Sequence, residues 1–347
     1  MKLLITGASG FLGQYVVAEA LRQGHKVKAL MRSPASLSWA NHSAVEIVQA
    51  DLQKDRLANA LEGVDAVIHL AAVMRGDYTT QYAGTVTATE NLLNAMTQTG
   101  IDRLVAISTF SVFDYMQIAA GEIIDEDAPI EANPSQRDGY AQTKLIQEQR
   151  IRAFGQPEKG GRVTILRPSM IYGRDHLWNA HLGLKAGDRL WLQIGANGQM
   201  PITYVENCAE AIVLALQDSA IGQTLNIIDD NLPTQSAYVR YLGQQMASPP
   251  QTVAINWAVL QSLARVASQI NAAAFRNRLK LPGLLVPARL HARFKPFRYS
   301  NSRAKQILGW QPRYSFVAAV ERSCGSLDLL DVPPQPDQTP DQSPVVS

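Results

Sequence analysis

Residues 6–13 read TGASGFLG and stand between the apolar segment 2–6 and an amphipathic helical pattern. Glycines between a strand and a helix permit a tight turn and let the backbone approach a pyrophosphate, which lies at the positive end of the helix. The spacing G-x-x-G-x-x-G differs from the commoner G-x-G-x-x-G fingerprint, but its context is the same. We therefore predict a dinucleotide-binding turn. Its predicted contacts are Gly7, Gly10, Phe11, Leu12 and Gly13.

Apolar segments and helical patterns alternate along the first two-thirds of the chain. Further strands are predicted at 26–31, 45–50, 65–71, 103–108 and 162–168. The clearest helical pattern covers residues 79–99. Such alternation predicts βαβ units, a parallel sheet and right-handed crossovers. The expected fold class is α/β: a Rossmann-type, doubly wound parallel sheet with a smaller, mostly helical C-terminal substrate domain.

The length of 347 residues, 46% of them hydrophobic, suits one large domain or two smaller ones. We predict a dinucleotide-binding domain at 1–170 to which 200–230 return, a substrate-binding region at 171–199 and 231–330, and a disordered tail at 331–347. Cys208 and Cys324 have no metal-like or redox-like spacing, so we expect reduced thiols in a cytoplasmic protein and no metal site. No segment reads as a secretory signal or a membrane span.

The net charge of +2 is distributed unevenly, because residues 231–320 contain twelve Lys or Arg and no Asp or Glu. Within this run, residues 276–298 combine seven basic side chains with leucines and prolines. Three interpretations stay open: solvated charges on a lid over the substrate pocket, contact of residues 256–298 with anionic lipid, and capture of an anionic substrate. Nucleic acid is not an expected partner, since no recognition fold or aromatic stacking surface accompanies the charge.

The end of the second predicted strand bears on the choice of dinucleotide. Proteins that bind NAD tend to place an acidic residue there for the ribose hydroxyls, whereas arginine accommodates the 2′-phosphate of NADP. This chain has Arg32 and Ser33 at that place, so we expect NADP, with NAD as the alternative. Asp51, after the third strand, is expected to accept a hydrogen bond from the adenine amine.

Tyr140 and Lys144 lie four residues apart in DGYAQTKLIQE, residues 138–148. Neither a phenol nor an ammonium exchanges protons readily at neutral pH with its ordinary pKa. A lysine one helical turn away favours the phenolate and is expected to lower the pKa of the tyrosine. Such a pair arises by chance about as often as not in a chain with eleven tyrosines, so its interpretation depends on the glycine turn and on Thr109 after the fifth strand.

Taken in order, these and other segments resemble the extended short-chain dehydrogenase/reductase superfamily, in its NAD-dependent epimerase/dehydratase family. The matching segments are TGASGFLG at 6–13, ADL at 50–52, HLAA at 69–72, ISTFSVF at 107–113, YAQTK at 140–144, LRPSMIYG at 166–173, YVENCAEA at 204–211 and SRAKQILGWQP at 302–312. The resemblance implies that Thr109 is the catalytic hydroxyl, Tyr140 the acid/base and Lys144 its partner. It also implies cofactor contacts at Leu52, Ala71, Tyr140, Lys144, Pro168 and Ile171.

Two departures from the family pattern affect the expected substrate. Thr85 replaces a usual asparagine, and Met200 stands near the place where sugar-nucleotide members carry an arginine. The segment PITYVENCAEA at 201–211 is closer in character to the 3β-hydroxysteroid dehydrogenase and dihydroflavonol reductase branch.

We therefore expect an NADP-dependent oxidoreductase that acts on a secondary alcohol or ketone of a small, hydrophobic molecule. A nucleotide-sugar epimerase or dehydratase is one alternative, and a non-catalytic dinucleotide-binding or membrane-complex subunit is another. A homodimer is compatible with the sequence, as is peripheral membrane attachment of an otherwise cytoplasmic protein.

Overall fold

The computed structural model describes residues 1–33, 37–186, 190–245, 251–276, 278–279, 281–325 and 328–331. Its strands are β1 Lys2–Thr6, β2 Lys26–Met31, β3 Val45–Gln49, β4 Ala66–His69, β5 Arg103–Ile107, β6 Ile123–Ile124, β7 Arg162–Pro168, β8 Met170–Tyr172, β9 Leu184–Ala186, β10 Leu190–Ile194, β11 Ile202–Tyr204, β12 Thr224–Ile227, β13 Gln251–Ile255 and β14 Arg298–Tyr299. Its helices are α1 Phe11–Arg22, α2 Ala58–Leu61, α3 Tyr78–Tyr82, α4 Ala88–Thr99, α5 Gly139–Phe154, α6 Val205–Leu214, α7 Gln235–Gln244, α8 Trp257–Phe275, α9 Pro287–Phe294, α10 Ser302–Leu308 and α11 Phe316–Cys324. Apart from Asp331, the predicted disordered tail at 331–347 lies outside the described residues.

Seven parallel strands form the main sheet in the order β12–β7–β5–β4–β1–β2–β3. All six strands predicted between residues 2 and 168 lie in it. The chain order reverses beside β1, with β2 on one side and β4 on the other. Ligands of open parallel sheets bind at the carboxyl ends of the strands at such a reversal. The Rossmann-type doubly wound fold predicted from the sequence is confirmed.

Helices cover both faces of the sheet because its central strands β1, β4 and β5 are buried on both sides. Leu3 and Ile5 of β1 belong to one buried cluster, whereas Leu4 between them belongs to another. Helix α1 packs against α6 in the first cluster, and α2 and α5 pack against α4 on the opposite face. This double cover fixes α1 and α5 beside the carboxyl ends of the central strands.

The helix predicted at 79–99 is interrupted by a π-helical turn, Ala83–Thr87, between α3 and α4. A tertiary contact accounts for the interruption. A Cβ added to Gly84 would lie 2.2 Å from Cγ2 of Val73, and the Thr85 hydroxyl accepts a 3.0 Å hydrogen bond from the Val73 backbone N–H. The widened turn thus lets the chain after β4 lie directly against the helix. Single π-turns of this kind are frequent at functional sites.

The C-terminal part adds small sheets and five helices, α7 to α11, to the main sheet. Strand β12 returns to the edge of the main sheet, while β8 pairs with β11, β6 with β14, and β10 with both β9 and β13. The predicted domain boundaries stay a prediction. Within the described part of the chain, every helix is too short or too polar to cross a bilayer.

Candidate active site

The glycine turn after β1 is shaped so that its backbone is accessible to a ligand. Gly7 adopts φ +70°, and a Cβ there would lie 3.1 Å from the Ala71 backbone nitrogen. A Cβ on Gly13 would lie 2.1 Å from the Gly7 carbonyl oxygen, so a side chain at Gly13 cannot fit. Gly10 caps α1 in an extended conformation without a side-chain hydrogen bond to the helix. The N–H groups of the first turn therefore remain available to an anion.

A cleft opens from this turn across the carboxyl ends of β1 to β4. Six of the predicted cofactor residues line it: Gly7, Gly10, Arg32, Asp51, Leu52 and Ala71. The side chains of Phe11 and Leu12 instead pack against the main core, so contact with a cofactor would fall to their backbone. Pro168 ends β7 and Ile171 lies in β8, toward the other end of the carboxyl edge. The glycine turn and this cleft fit a dinucleotide.

The end of the cleft that is predicted to hold the adenosine is formed by the segments that follow β2 and β3. The Arg32 side chain is exposed, and it forms no ion pair with an acidic residue of the described part of the chain. Its neighbour Ser33 is also exposed. The Asp51 backbone N–H donates to Asp55 at 2.6 Å, while its carboxylate accepts from the Gln53 N–H at 2.9 Å. Those bonds hold the Asp51 loop at the wall of the cleft.

Thr109 and Tyr140 meet where β5 ends and α5 begins. Thr109 follows β5 by two residues, and Asp138 caps α5 by accepting a 2.9 Å hydrogen bond from Ala141, which fixes Tyr140 in the first helical turn. Burial raises the pKa of Tyr140 above its ordinary value, whereas hydrogen bonding by the Thr109 side chain lowers it. Burial outweighs the hydrogen bond, so the direction is opposite to the lowered pKa that the spacing of Tyr140 and Lys144 predicted.

Lys144 is almost fully buried, with 3% of its surface exposed. Its ammonium donates to the Ile107 carbonyl at 2.6 Å and to the side-chain oxygen of Gln147. Burial lowers the pKa of Lys144 to about 8, although the nearby Glu148 carboxylate acts in the opposite direction. The lysine is therefore charged at neutral pH and close to its titration range.

A chain of buried polar side chains continues from Lys144 through the interior. The Gln147 amide donates to the Thr89 hydroxyl at 2.8 Å and lies 3.3 Å from His69 Nε2. His69 Nδ1 lies 2.7 Å from the Thr6 hydroxyl, at the end of β1. Burial, with a smaller effect of the Lys144 charge, lowers the pKa of His69 to about 3. This chain links the lysine to the strand that precedes the glycine turn.

The sequence pattern indicates no role for Gln147, His69 or Thr89. His69 stood in the segment HLAA, which was matched as a motif, and Gln147 stood one turn beyond Lys144. The feature that could have identified His69 and Gln147 is their proximity in sequence to residues with a predicted role. Thr85 also belongs to this region, because its carbonyl accepts a 2.6 Å hydrogen bond from Thr89.

A second buried group, also missed from the sequence, fixes α5 against the sheet. Glu148 forms a 2.6 Å ion pair with Arg167 of β7 and accepts a hydrogen bond from the Ser108 hydroxyl. Burial by itself would raise the pKa of Glu148, but Arg167, Ser108 and Arg152 hold it at about 2. Glu148 lies in the same helix as Tyr140 and binds Ser108, the residue before Thr109. This carboxylate therefore holds the segments that carry Thr109 and Tyr140 together.

Met200 lies in the main core with 2% of its surface exposed. A neutral, buried side chain therefore lies near the place where the resemblance implies an arginine in sugar-nucleotide members of the family. It offers no charge for a diphosphate.

Comparison with known proteins shows the family of this chain. The model of the NAD dependent epimerase/dehydratase family matches residues 3–227. A human sterol-4-alpha-carboxylate 3-dehydrogenase (decarboxylating) is 29% identical over 94% of this chain and 88% of that protein. A 3 beta-hydroxysteroid dehydrogenase/Delta 5-->4-isomerase from Mycobacterium tuberculosis is 26% identical over 92% of this chain and 88% of that protein.

Among solved structures, MoeE5 in complex with UDP-glucose and NAD has a TM-score of 0.70 at 20% identity, covering 93% of this chain and 97% of that one. At that identity the likeness concerns the fold. The family match covers well over half of the chain, and it includes the glycine turn, the strand ends and the α5 segment with Tyr140. The chain belongs to the NAD-dependent epimerase/dehydratase family of oxidoreductases.

Proposed function

We propose that this protein is an NADP-dependent oxidoreductase that interconverts a secondary alcohol and a ketone on a small, hydrophobic substrate. The observation that carries the proposal is the Thr109–Tyr140 pair at the carboxyl end of β5, with the charged and buried Lys144 one helical turn further along α5. A protein that only bound a dinucleotide would have no chemical need for this arrangement.

The residues that would hold the cofactor are the glycine turn, Arg32, Asp51 and the strand ends around Ala71. Lys144, next to Tyr140 in α5, is expected to bind on the nicotinamide side, together with Pro168 and Ile171. When bound, the nicotinamide supplies or accepts the hydride. The protein supplies position, charge and proton transfer.

Tyr140 is the residue proposed to transfer the proton. A phenol is protonated at neutral pH, and burial raises the pKa of Tyr140 further, so it holds the proton that ketone reduction requires. As hydride reaches the carbonyl carbon, the Tyr140 hydroxyl gives its proton to the oxygen, and the Thr109 hydroxyl donates a hydrogen bond to that oxygen. The Lys144 ammonium then stabilises the phenolate that remains. In the oxidation of an alcohol the same groups act in reverse.

Arg32 supports NADP over NAD. Its exposed side chain stands at the wall of the cleft directly after β2, and its position is free of an acidic neighbour along residues 31–33. A guanidinium can bind the 2′-phosphate with charge-assisted hydrogen bonds, whereas a carboxylate there would repel it.

Two observations support a hydrophobic substrate. The relatives from human and Mycobacterium tuberculosis are named for reactions of sterols and steroids. The side chain near the place where sugar-nucleotide members carry an arginine is the buried, uncharged Met200. Purified protein should therefore consume NADPH with steroid or long-chain ketones. Turnover of UDP-sugars alone would instead favour the epimerase or dehydratase alternative, and dinucleotide binding without any turnover would favour a non-catalytic role.

A further inference from the structure

Helix α8 has two apolar faces, and the described part of the chain covers one of them. On one side, Leu260 and Ala264 pack with Leu290 and Phe294 of α9 in a buried cluster. A second apolar row runs along the helix at positions separated by three or four residues. It consists of Val259, Leu263, Val266 and Ile270, which we call the docking face.

The docking face is open to solvent in the protein. Each of its four side chains has between 52% and 57% of its surface exposed. Phe275 at the end of α8 and Leu279 shortly after it are nearly as exposed. Single exposed apolar residues are ordinary, but a continuous row of four along about three helical turns marks an interaction surface.

The chain reverses at the end of α8 so that charged residues stay beside the helix. Arg276 ends the helix in a left-handed conformation with φ +49°. The Asn271 side chain then binds the Leu279 backbone on both sides, donating to its carbonyl at 3.0 Å and accepting from its N–H at 3.2 Å. These bonds hold Arg278, next to Leu279, close to the last turns of α8.

The charge at the C-terminal end of the docking face is positive and uncompensated. Arg276 and Arg278 are exposed there, and neither forms an ion pair with an acidic group in the described ranges. Residues 231–320 contain no Asp or Glu at all. An apolar helical face flanked by basic side chains complements the interface of an anionic bilayer, where apolar groups enter the acyl boundary and cations meet the headgroups.

We propose that the docking face binds the surface of an anionic membrane, with α8 lying in the plane of the interface. A second copy of this chain is a poorer occupant, because the same face of a second copy also lacks acidic residues and would offer no negative charge to these arginines. A bilayer supplies both the apolar layer and the negative charge.

Direct contacts through α9 link helix α8, which carries the docking face, to the candidate active site. Helix α9, which packs against α8, carries Arg289, whose guanidinium donates to the carbonyls of Gln136 and Arg137 at 3.2 and 3.4 Å. Those residues immediately precede α5 and Tyr140. Attachment through α8 would therefore hold the loop before the catalytic helix near the membrane, which suits a substrate dissolved in lipid.

Co-sedimentation of the full chain with vesicles tests the proposal. We expect recovery with vesicles of phosphatidylcholine mixed with phosphatidylglycerol, little recovery with phosphatidylcholine alone, and a loss as NaCl rises from about 0.05 M to about 0.5 M. Equal recovery with both vesicle types, or recovery with neither, would overturn the proposal. A concentration-dependent dimer without vesicle binding would assign the face to a second copy.

Matched variants locate the contact. The double variant Leu263→Gln with Ile270→Gln should lower vesicle binding about tenfold or more, whereas Val317→Gln, an exposed apolar residue on α11, should bind like the parent. Arg276→Gln with Arg278→Gln should lower binding about fivefold per arginine, and Lys26→Gln with Lys159→Gln should have little effect. Circular dichroism and NADPH binding verify that each variant is folded. Parent-like binding by both test variants would contradict the assignment to α8.

Discussion

The Lys144 ammonium donates a hydrogen bond to the side-chain oxygen of Gln147, three residues further along the same helix. The Gln147 amide in turn donates to Thr89 and lies beside His69. These buried side chains therefore position the Lys144 ammonium, which is proposed to act on Tyr140. In this arrangement Gln147 is a positioning residue for Lys144.

Substitution of Gln147 should change the pH dependence of turnover. In Gln147→Leu the Lys144 ammonium loses one of its two hydrogen-bond acceptors and keeps the Ile107 carbonyl. Its pKa should therefore fall below about 8. The alkaline limb of the pH–rate profile should then move to lower pH by about one unit. In Gln147→Glu an added carboxylate favours the ammonium, and the same limb should move to higher pH. Shifts in the same direction, or an unchanged profile with only lower stability, would show that Gln147 is merely structural.

His69 should make the stability of the protein sensitive to acid. Its pKa is about 3 in the folded protein, below its ordinary value of about 6.5, so folding favours the neutral ring. The stabilisation is complete above about pH 6.5 and is lost progressively as the pH falls toward 3, at up to about 1.4 kcal/mol per pH unit. Urea unfolding at pH 7, 6, 5 and about 4 measures this slope. His69→Gln should reduce the slope; an unchanged slope would assign the acid sensitivity to other groups.

The glycine turn offers a matched pair of substitutions. In Gly13→Ala the new methyl group would meet the Gly7 carbonyl oxygen at 2.1 Å, so we expect a loss of about 1–3 kcal/mol in the free energy of unfolding and weaker NADPH binding. In Gly283→Ala the nearest heavy atom lies 4.0 Å away, and both quantities should stay near the parent values. Calorimetry and fluorescence titration measure them. Parent-like NADPH affinity in Gly13→Ala would argue against a pyrophosphate at this turn.

Arg32 should control the choice between the two dinucleotides. Arg32→Gln should raise the Kd for NADPH about tenfold to about a hundredfold, because a charge-assisted contact to the 2′-phosphate is lost, and should leave the Kd for NADH nearly unchanged. Arg56→Gln, an exposed arginine outside the lining of the cleft, serves as the control. If Arg32→Gln weakened both dinucleotides equally, the proposed NADP preference would be wrong.

The main sheet could be predicted because each of its strands is a short apolar run, and such runs are visible without knowledge of their neighbours. The interruption of the 79–99 helix could not, because it depends on the close approach of Gly84 to Val73, a contact formed only after folding. Short sequence patterns therefore predict where strands and helices form, whereas tertiary contacts change them locally.

In the candidate site, too, local sequence features could be predicted and features that depend on tertiary contacts could not. Thr109, Tyr140 and Lys144 could be found from spacing and resemblance, and the direction of the Tyr140 pKa could not, because burial is absent from a linear pattern. The ion pair between Arg167 and Glu148 could not be predicted, because the two residues lie in different elements, β7 and α5. The exposed row on α8 was only partly foreseen: the basic run was evident, but the unburied apolar face required the packing of α9.

Transfer of deuterium from NADPH labelled at the nicotinamide C4 to a ketone, followed by mass spectrometry, tests the proposed reaction most directly. The parent protein should place one deuterium on the carbinol carbon of a steroid or long-chain alcohol product. Tyr140→Phe should bind NADPH normally but lose transfer by about a hundredfold or more, because the proton donor is gone. Transfer at the parent rate in Tyr140→Phe, or labelled NADPH that is bound but never consumed with any ketone, would contradict the account.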